Sequence, residues 1–188
     1  MYLFFDTETT GLPQNWKAPI SDLDNWPRLV QLAWLAYGKN GNELDRGAYI
    51  IKPVGFEIPE AASKIHGVTH AKAVSIGESL QMVLNVLHHQ ISMAGVIIGH
   101  NIEFDCNIVG AEFLRNKLPR ITPARRRICT MLGSMDYCAL PRNKWPKLTE
   151  LHNKLFGCDF EGAHDAGSDV AATAKCFWEL RRLGVIKI

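Results

Sequence analysis

A single-domain α/β fold, with a mixed five-stranded sheet and helices on both faces, is the architecture this sequence predicts, on three observations. The 188 residues are 47% apolar and 21% charged, enough to bury one core and too few to demand a second. Three strand-like segments occupy the first 52 residues. Helix and strand patterns then alternate to the end, an order that adds parallel strands to an antiparallel start. No repeat, low-complexity tract or linker divides residues 1–188.

Residues 2–8 are a short apolar run ending in acids before Thr10-Gly11, and read as a strand. Residues 13–27 hold three prolines and no helical period, a long loop of the kind that is usually functional. Arg28–Tyr37 is apolar at both alternating sets of positions, as a strand covered above and below requires. Asn40-Gly41 signals a hairpin, and the polar stretch 42–46 leads into a third strand over Ala48–Lys52. Ser75 with Glu78 forms a capping-box pattern opening a helix through Ile91. Gly95–Gly99 is a short buried strand, and Asn101 caps a helix running to about Leu118. A fifth strand follows at Arg127–Met131. Leu148–Phe156 is a helix stopped by Gly157, and a last helix runs from Ala166 to Leu183 before Gly184.

Composition excludes several classes. The five scattered cysteines form no CxxC pair, so neither a disulfide framework nor a thiolate zinc site is expected. The N-terminus lacks a signal-peptide pattern, and no apolar run reaches membrane-spanning length. A cytoplasmic protein with no membrane association is the expectation. The net charge of +2 selects no partner by itself.

Asp6 and Glu8 share one face of the first strand, because side chains repeat every two residues. Alone, Asp-x-Glu is compatible with solvated surface, although here it ends a run of four apolar residues. Adjacent carboxylates repel unless a cation is present or one protonates. Asp105 follows the buried strand in His100-Asn101-Ile102-Glu103-Phe104-Asp105, where an acid also stabilises its own helix N-terminus. His164 and Asp169 open the last helix among small residues, with Asp165 equally readable as a cap.

Taken jointly, these segments are specific. Phe5-Asp6-Thr7-Glu8-Thr9-Thr10-Gly11-Leu12, Ile65-His66-Gly67-Val68-Thr69, His-Asn-x-x-Phe-Asp and His-x4-Asp occur in the order and spacing of a known family. The chain resembles the DEDDh (DnaQ-like) 3′–5′ exonucleases, the family of the proofreading epsilon subunit of bacterial DNA polymerase III.

That resemblance implies a ribonuclease H-like fold and two divalent ions, Mg2+ or Mn2+. Asp6 is implied to bridge both, with Glu8 and Asp169 completing the first site and Asp105 holding the second ion through water. The residue chemistry agrees. Hard cations prefer oxygen ligands, and a paired-ion site stabilises the attacking and leaving oxygens of displacement at phosphorus. His164 is implied as general base, a task suited to a side chain with an ordinary pKa of about 6.5. The implied reaction is hydrolysis of the 3′-terminal phosphodiester of single-stranded or frayed DNA, releasing nucleoside 5′-monophosphates. Thr9, Leu12, His66, Asn101 and Phe104 are implied to hold the terminal nucleotide, Phe104 by stacking. Leu12 and Phe104 are equally readable as core. An RNA 3′-end trimming enzyme of the same superfamily is the alternative, because sugar contacts are not encoded in these motifs. A silent nucleic-acid-binding module is a second alternative.

Residues 115–147 carry nine Lys/Arg (Arg115, Lys117, Arg120, Arg125, Arg126, Arg127, Arg142, Lys144, Lys147) and one acid, Asp136. Such a segment could track a phosphate backbone or be a solvated basic surface. Two departures from the family stand out. Loop 13–27, with Trp16 and Trp26, is longer than expected and reads either as a flap or as a packed surface loop. Cys129-Thr130 replaces the Asp-Thr found on the fifth strand of relatives. Polymerase association is possible, but no tail after Ile188 is expected to serve it.

Overall fold

The computed structural model describes residues 1–119 and 126–188. Its sheet has the order β3-β2-β1-β4-β5, with β1 at Tyr2–Thr9, β2 at Leu29–Tyr37, β3 at Glu43–Ile50, β4 at Val96–Gly99 and β5 at Arg126–Cys129. β1, β2 and β3 pair antiparallel; β4 runs parallel to β1, and β5 parallel to β4. The mixed five-stranded sheet therefore stands as predicted.

Its central strands are apolar on both faces because both are covered. Leu3, Phe5 and Trp34 point into one core with Leu87, Val109 and Phe113. Phe4, Ala33 and Ile98 point into the other with Val170 and Phe177. The first core is closed by α3 (Leu80–Met93) and α4 (Ile102–Arg115), the second by α7 (Leu148–Phe156) and α8 (Ala166–Arg182).

Four expectations are corrected. The third strand starts at Glu43, five residues before Ala48, and ends at Ile50. Its charged half is tolerated because β3 is a sheet edge, where polar side chains meet water. The Ser75/Glu78 capping box does not exist: Ser75 lies inside α2 (His70–Ile76), and α3 begins after Ser79. The backbone of Glu78 is used elsewhere, donating to the Ile50 carbonyl at 2.8 Å and accepting from Lys52 N at 2.9 Å. Gly77 permits this close approach, since a Cβ there would lie 2.6 Å from Lys52 N. Third, β5 stops at Cys129, and Thr130 and Met131 begin the short helix α5 (Thr130–Gly133). Fourth, Asn101 occupies the cap position of α4 in a left-handed conformation (φ 70°) without a side-chain cap bond, and that helix ends at Arg115. Helices α1 (Glu60–His66), α2 and α6 (Met135–Cys138) were not anticipated. Among the described residues no helix is long and apolar enough to cross a membrane.

Candidate active site

The site lies where β1 ends. Phe4 packs in the core with Val170 and Phe177, so the two-residue repeat puts Asp6 and Glu8 on the α8 face of the sheet. Thr7 faces the other way and is buried. There it holds Asp105 of α4: Thr7 N and Thr7 Oγ1 both donate to Asp105 Oδ1, at 3.0 and 2.7 Å. One Asp105 oxygen is thus fixed by the strand that carries the first two acids.

α8 enters from the opposite side. Asp165 is its N-cap, accepting from Ser168 N at 3.0 Å. Gln31, paired with Glu8 in the β1–β2 register, donates to Asp165 Oδ2 at 2.8 Å and accepts from Ala166 N at 3.4 Å. Small residues at the helix start allow this seating, with Ala166 fully buried. His164 adopts φ 68°, an unfavourable region for a residue with a side chain, and its N–H donates to Asp169 Oδ2 at 3.1 Å. Ligand-type atoms of Glu8, His164 and Asp169 consequently lie within 4.8 Å of one another.

Electrostatics tie the remaining acids to this group. Burial raises the Asp6 carboxyl well above its ordinary range, and Asp105, Asp169 and Glu8 add repulsion in that order. Burial, then Asp169 and Asp105, push Glu8 up to about 8. Burial lifts Asp105 to about 7 against the lowering effect of the Thr7 hydrogen bonds. Burial also lifts Asp169 to about 6, opposed by the His164 N–H and by the nearby imidazole. Among the described residues no Lys or Arg forms an ion pair with any of these four acids. This donor set fits a small divalent cation. It is rich in hard oxygens, carries mutual repulsion that a cation relieves, and is nearly as compact as the roughly 4.2 Å between opposed ligands on Mg2+. His164, rather than Asp6 or Asp105, completes the tightest group.

Beside the acids opens a mainly apolar pocket of about 390 Å³, lined by Thr7, Glu8, Thr9, Leu12, Ile65, His66, Phe104 and His164 among others. Four of the five expected nucleotide-contacting residues meet here; Asn101 is not part of the lining. Leu12 is 72% exposed, so it is not core, whereas Phe104 is partly buried against the first core. The Thr9 hydroxyl donates to the Gly11 carbonyl at 2.6 Å, fixing the turn that carries Leu12. His66 Nδ1 accepts from Val68 N at 3.1 Å. The neutral ring therefore carries its proton on Nε2, a buried donor atom beside the Thr9 backbone. Burial lowers the pKa of this imidazole and favours that neutral form.

The sequence reading missed Thr7, Gln31 and Ile65. Gln31 had a signal, as the one amide inside an otherwise apolar strand; Thr7 had one in its place between two acids. The basic segment is partly discharged. Arg115, Arg127 and Lys144 pair with Glu112, Glu103 and Glu150, all outside the 115–147 window except Arg115, Arg127 and Lys144 themselves. Arg120 and Arg125 lie outside the described residues. Cys129 ends β5, and its Sγ accepts from Leu132 N at 3.5 Å, away from the acids.

The model of the RNase_T exonuclease family matches residues 3–177, and the chain belongs to this family, the DnaQ-like 3′–5′ exonucleases. The PolC-type DNA polymerase III of Lactococcus lactis subsp. lactis (strain IL1403) is 28% identical over 178 residues, covering 93% of this chain and 10% of the polymerase. E. coli Exonuclease I in complex with a dT13 oligonucleotide matches with a TM-score of 0.75 at 23% identity, over 97% of this chain and 42% of that one. The zinc-ion-bound form of the E. coli Exonuclease I–ssDNA complex matches at 0.74 and 24% identity, over 96% and 40%. At such identities the structural likeness bears on the fold, which is ribonuclease H-like. The chain spans about a tenth of the length of the curated relatives it matches.

Proposed function

From its membership of the exonuclease family, we propose that this chain removes nucleotides one at a time from the 3′ end of single-stranded or frayed DNA. The observation that carries this reading is the meeting of Glu8, His164 and Asp169, with Asp6 and Asp105 in the same field, at the mouth of a pocket of one-nucleotide size. Single-stranded DNA in the Exonuclease I complexes and the DNA polymerase relatives support DNA over RNA.

Asp6, Glu8, Asp105 and Asp169 are the residues that would hold two divalent ions, Mg2+ or Mn2+. When bound, such ions neutralise charge building on the attacking and leaving oxygens. The chain's own groups do the rest. Phe104 and Leu12 flank the terminal nucleoside, and the neutral His66 offers its Nε2–H as a donor. His164, held at the rim by its left-handed backbone and the Asp169 bond, accepts a proton from the attacking water. Water oxygen bonds to phosphorus, the P–O3′ bond breaks, the departing O3′ takes a proton from solvent, and a nucleoside 5′-monophosphate is released from a strand with a new 3′-hydroxyl.

Digestion of 5′-labelled DNA and RNA oligomers with Mn2+ or Mg2+, with and without EDTA, tests the reading. A ladder that shortens from the 3′ end and stops with chelator is the expected result. Binding without shortening overturns the enzymatic reading, and faster loss of RNA than DNA overturns the substrate assignment.

A further inference from the structure

Loop 13–27 is neither a free flap nor an inert packed loop. Its body is anchored. Trp26 is 2% exposed and donates from Nε1 to the Pro19 carbonyl at 3.0 Å. The Arg115 guanidinium donates to the Leu23 and Trp26 carbonyls. The buried Asn25 amide clamps the backbone of Asn15 twice, accepting from its N–H at 2.7 Å and donating to its carbonyl at 3.0 Å. The next residue is Trp16, which this clamp presents with its side chain 54% exposed. The Trp16 ring rests against Phe104 at 5.7 Å between centroids, tilted by 43°. Phe104 lines the pocket, whereas Trp16 does not.

We infer that Trp16 is a positioning residue that receives the base of the nucleotide next to the terminal one, extending the Phe104 surface beyond the pocket. The inference rests on the exonuclease reading above. The Trp16 ring is set against a residue that lines the pocket and keeps about half its surface open, and every base has a face that can stack on such a ring regardless of sequence. The Asn25 clamp on Asn15 and the Phe104 contact order the backbone and ring beforehand, which lowers the entropy cost of fixing the ring on binding. The recognised chemistry is thus a strand of at least two nucleotides with an intact penultimate base.

The test uses the full chain, a short single-stranded DNA, and the same DNA with an abasic penultimate nucleotide. Trp16→Ala is expected to raise KM for the intact strand about tenfold with kcat within about twofold, and Trp16→Phe to restore most of it. Removing the penultimate base should cost the wild type a similar factor and the Trp16→Ala variant almost nothing more, the non-additivity expected of groups in contact. Equal penalties for the abasic site in both proteins overturn the inference. So does an unchanged KM for Trp16→Ala, provided the wild type digests the strand. A wild type that digests neither strand instead fails the exonuclease reading itself. Circular dichroism and thermal melting, expected to be unchanged for this exposed residue, separate positioning from folding.

Discussion

Two acidic sites in this molecule are built to opposite ends. Glu112, fully buried in α4, accepts from Arg28 Nε at 2.8 Å and Leu29 N at 3.1 Å, and pairs with Arg115 at 3.1 Å. Its charge is balanced within the chain, and Arg115 also ties down loop 13–27. Asp6, Glu8 and Asp169 gather around Asp105, which lies about two helical turns before Glu112 on α4, and among the described residues no Lys or Arg pairs with any of the four. Buried charge is tolerated only when compensated. The first cluster is a structural staple; the second is left for compensation from solution, which is what a cation-dependent site requires.

The contrast is broken or sharpened most strongly by Asp6→Asn. With Mn2+ present, kcat is expected to fall about 1000-fold or more, while thermal melting of the metal-free protein rises because a repelled carboxylate is gone. A variant that loses stability in EDTA would place Asp6 with the structural staples. Glu112→Gln should do the reverse. Two arginines are left facing a neutral amide, so urea unfolding should show a loss of about 3 kcal/mol, with kcat per folded molecule unchanged. A stable but inactive Glu112→Gln would erase the distinction.

The smallest effect is a pH dependence. Each site acid titrates higher folded than unfolded, with Glu8 reaching about 8 against an ordinary 4.5. Between those values the unfolded chain binds fewer protons, so stability of the metal-free fold is greatest at low pH and falls as pH rises toward about 8. Divalent ions reverse that loss. The Mn2+-induced rise in melting temperature should therefore be larger at about pH 8 than at about pH 5, with protons released on binding. An increment independent of pH would mean that these acids are not the ligands.

Much of this was legible in the chain. Unbroken apolar runs placed β1 and β2 because their side chains meet cores on both faces, and Gly157 marked the end of α7 through its left-handed backbone. The four acids and the histidine of the candidate site, Asp6, Glu8, Asp105, Asp169 and His164, could be picked out by joint motif order. The misreadings arose where a distant partner outweighed a local signal. Ser75 and Glu78 spell a capping box, but the edge strand claims the Glu78 backbone. The basic window 115–147 leaves out Glu103 of α4, which pairs with Arg127 of β5 across 24 positions, as well as the nearby Glu112 and Glu150.

The sequence by itself determined which acids could matter and which strand carries two of them, since alternation and motif order are properties of neighbours along the chain. Only tertiary structure decided that Thr7 holds Asp105, that Gln31 seats α8 beside Glu8, and that Trp16 rests on Phe104. Those pairs are separated by 98, 134 and 88 positions, and no local propensity encodes contacts that form only when separate elements pack.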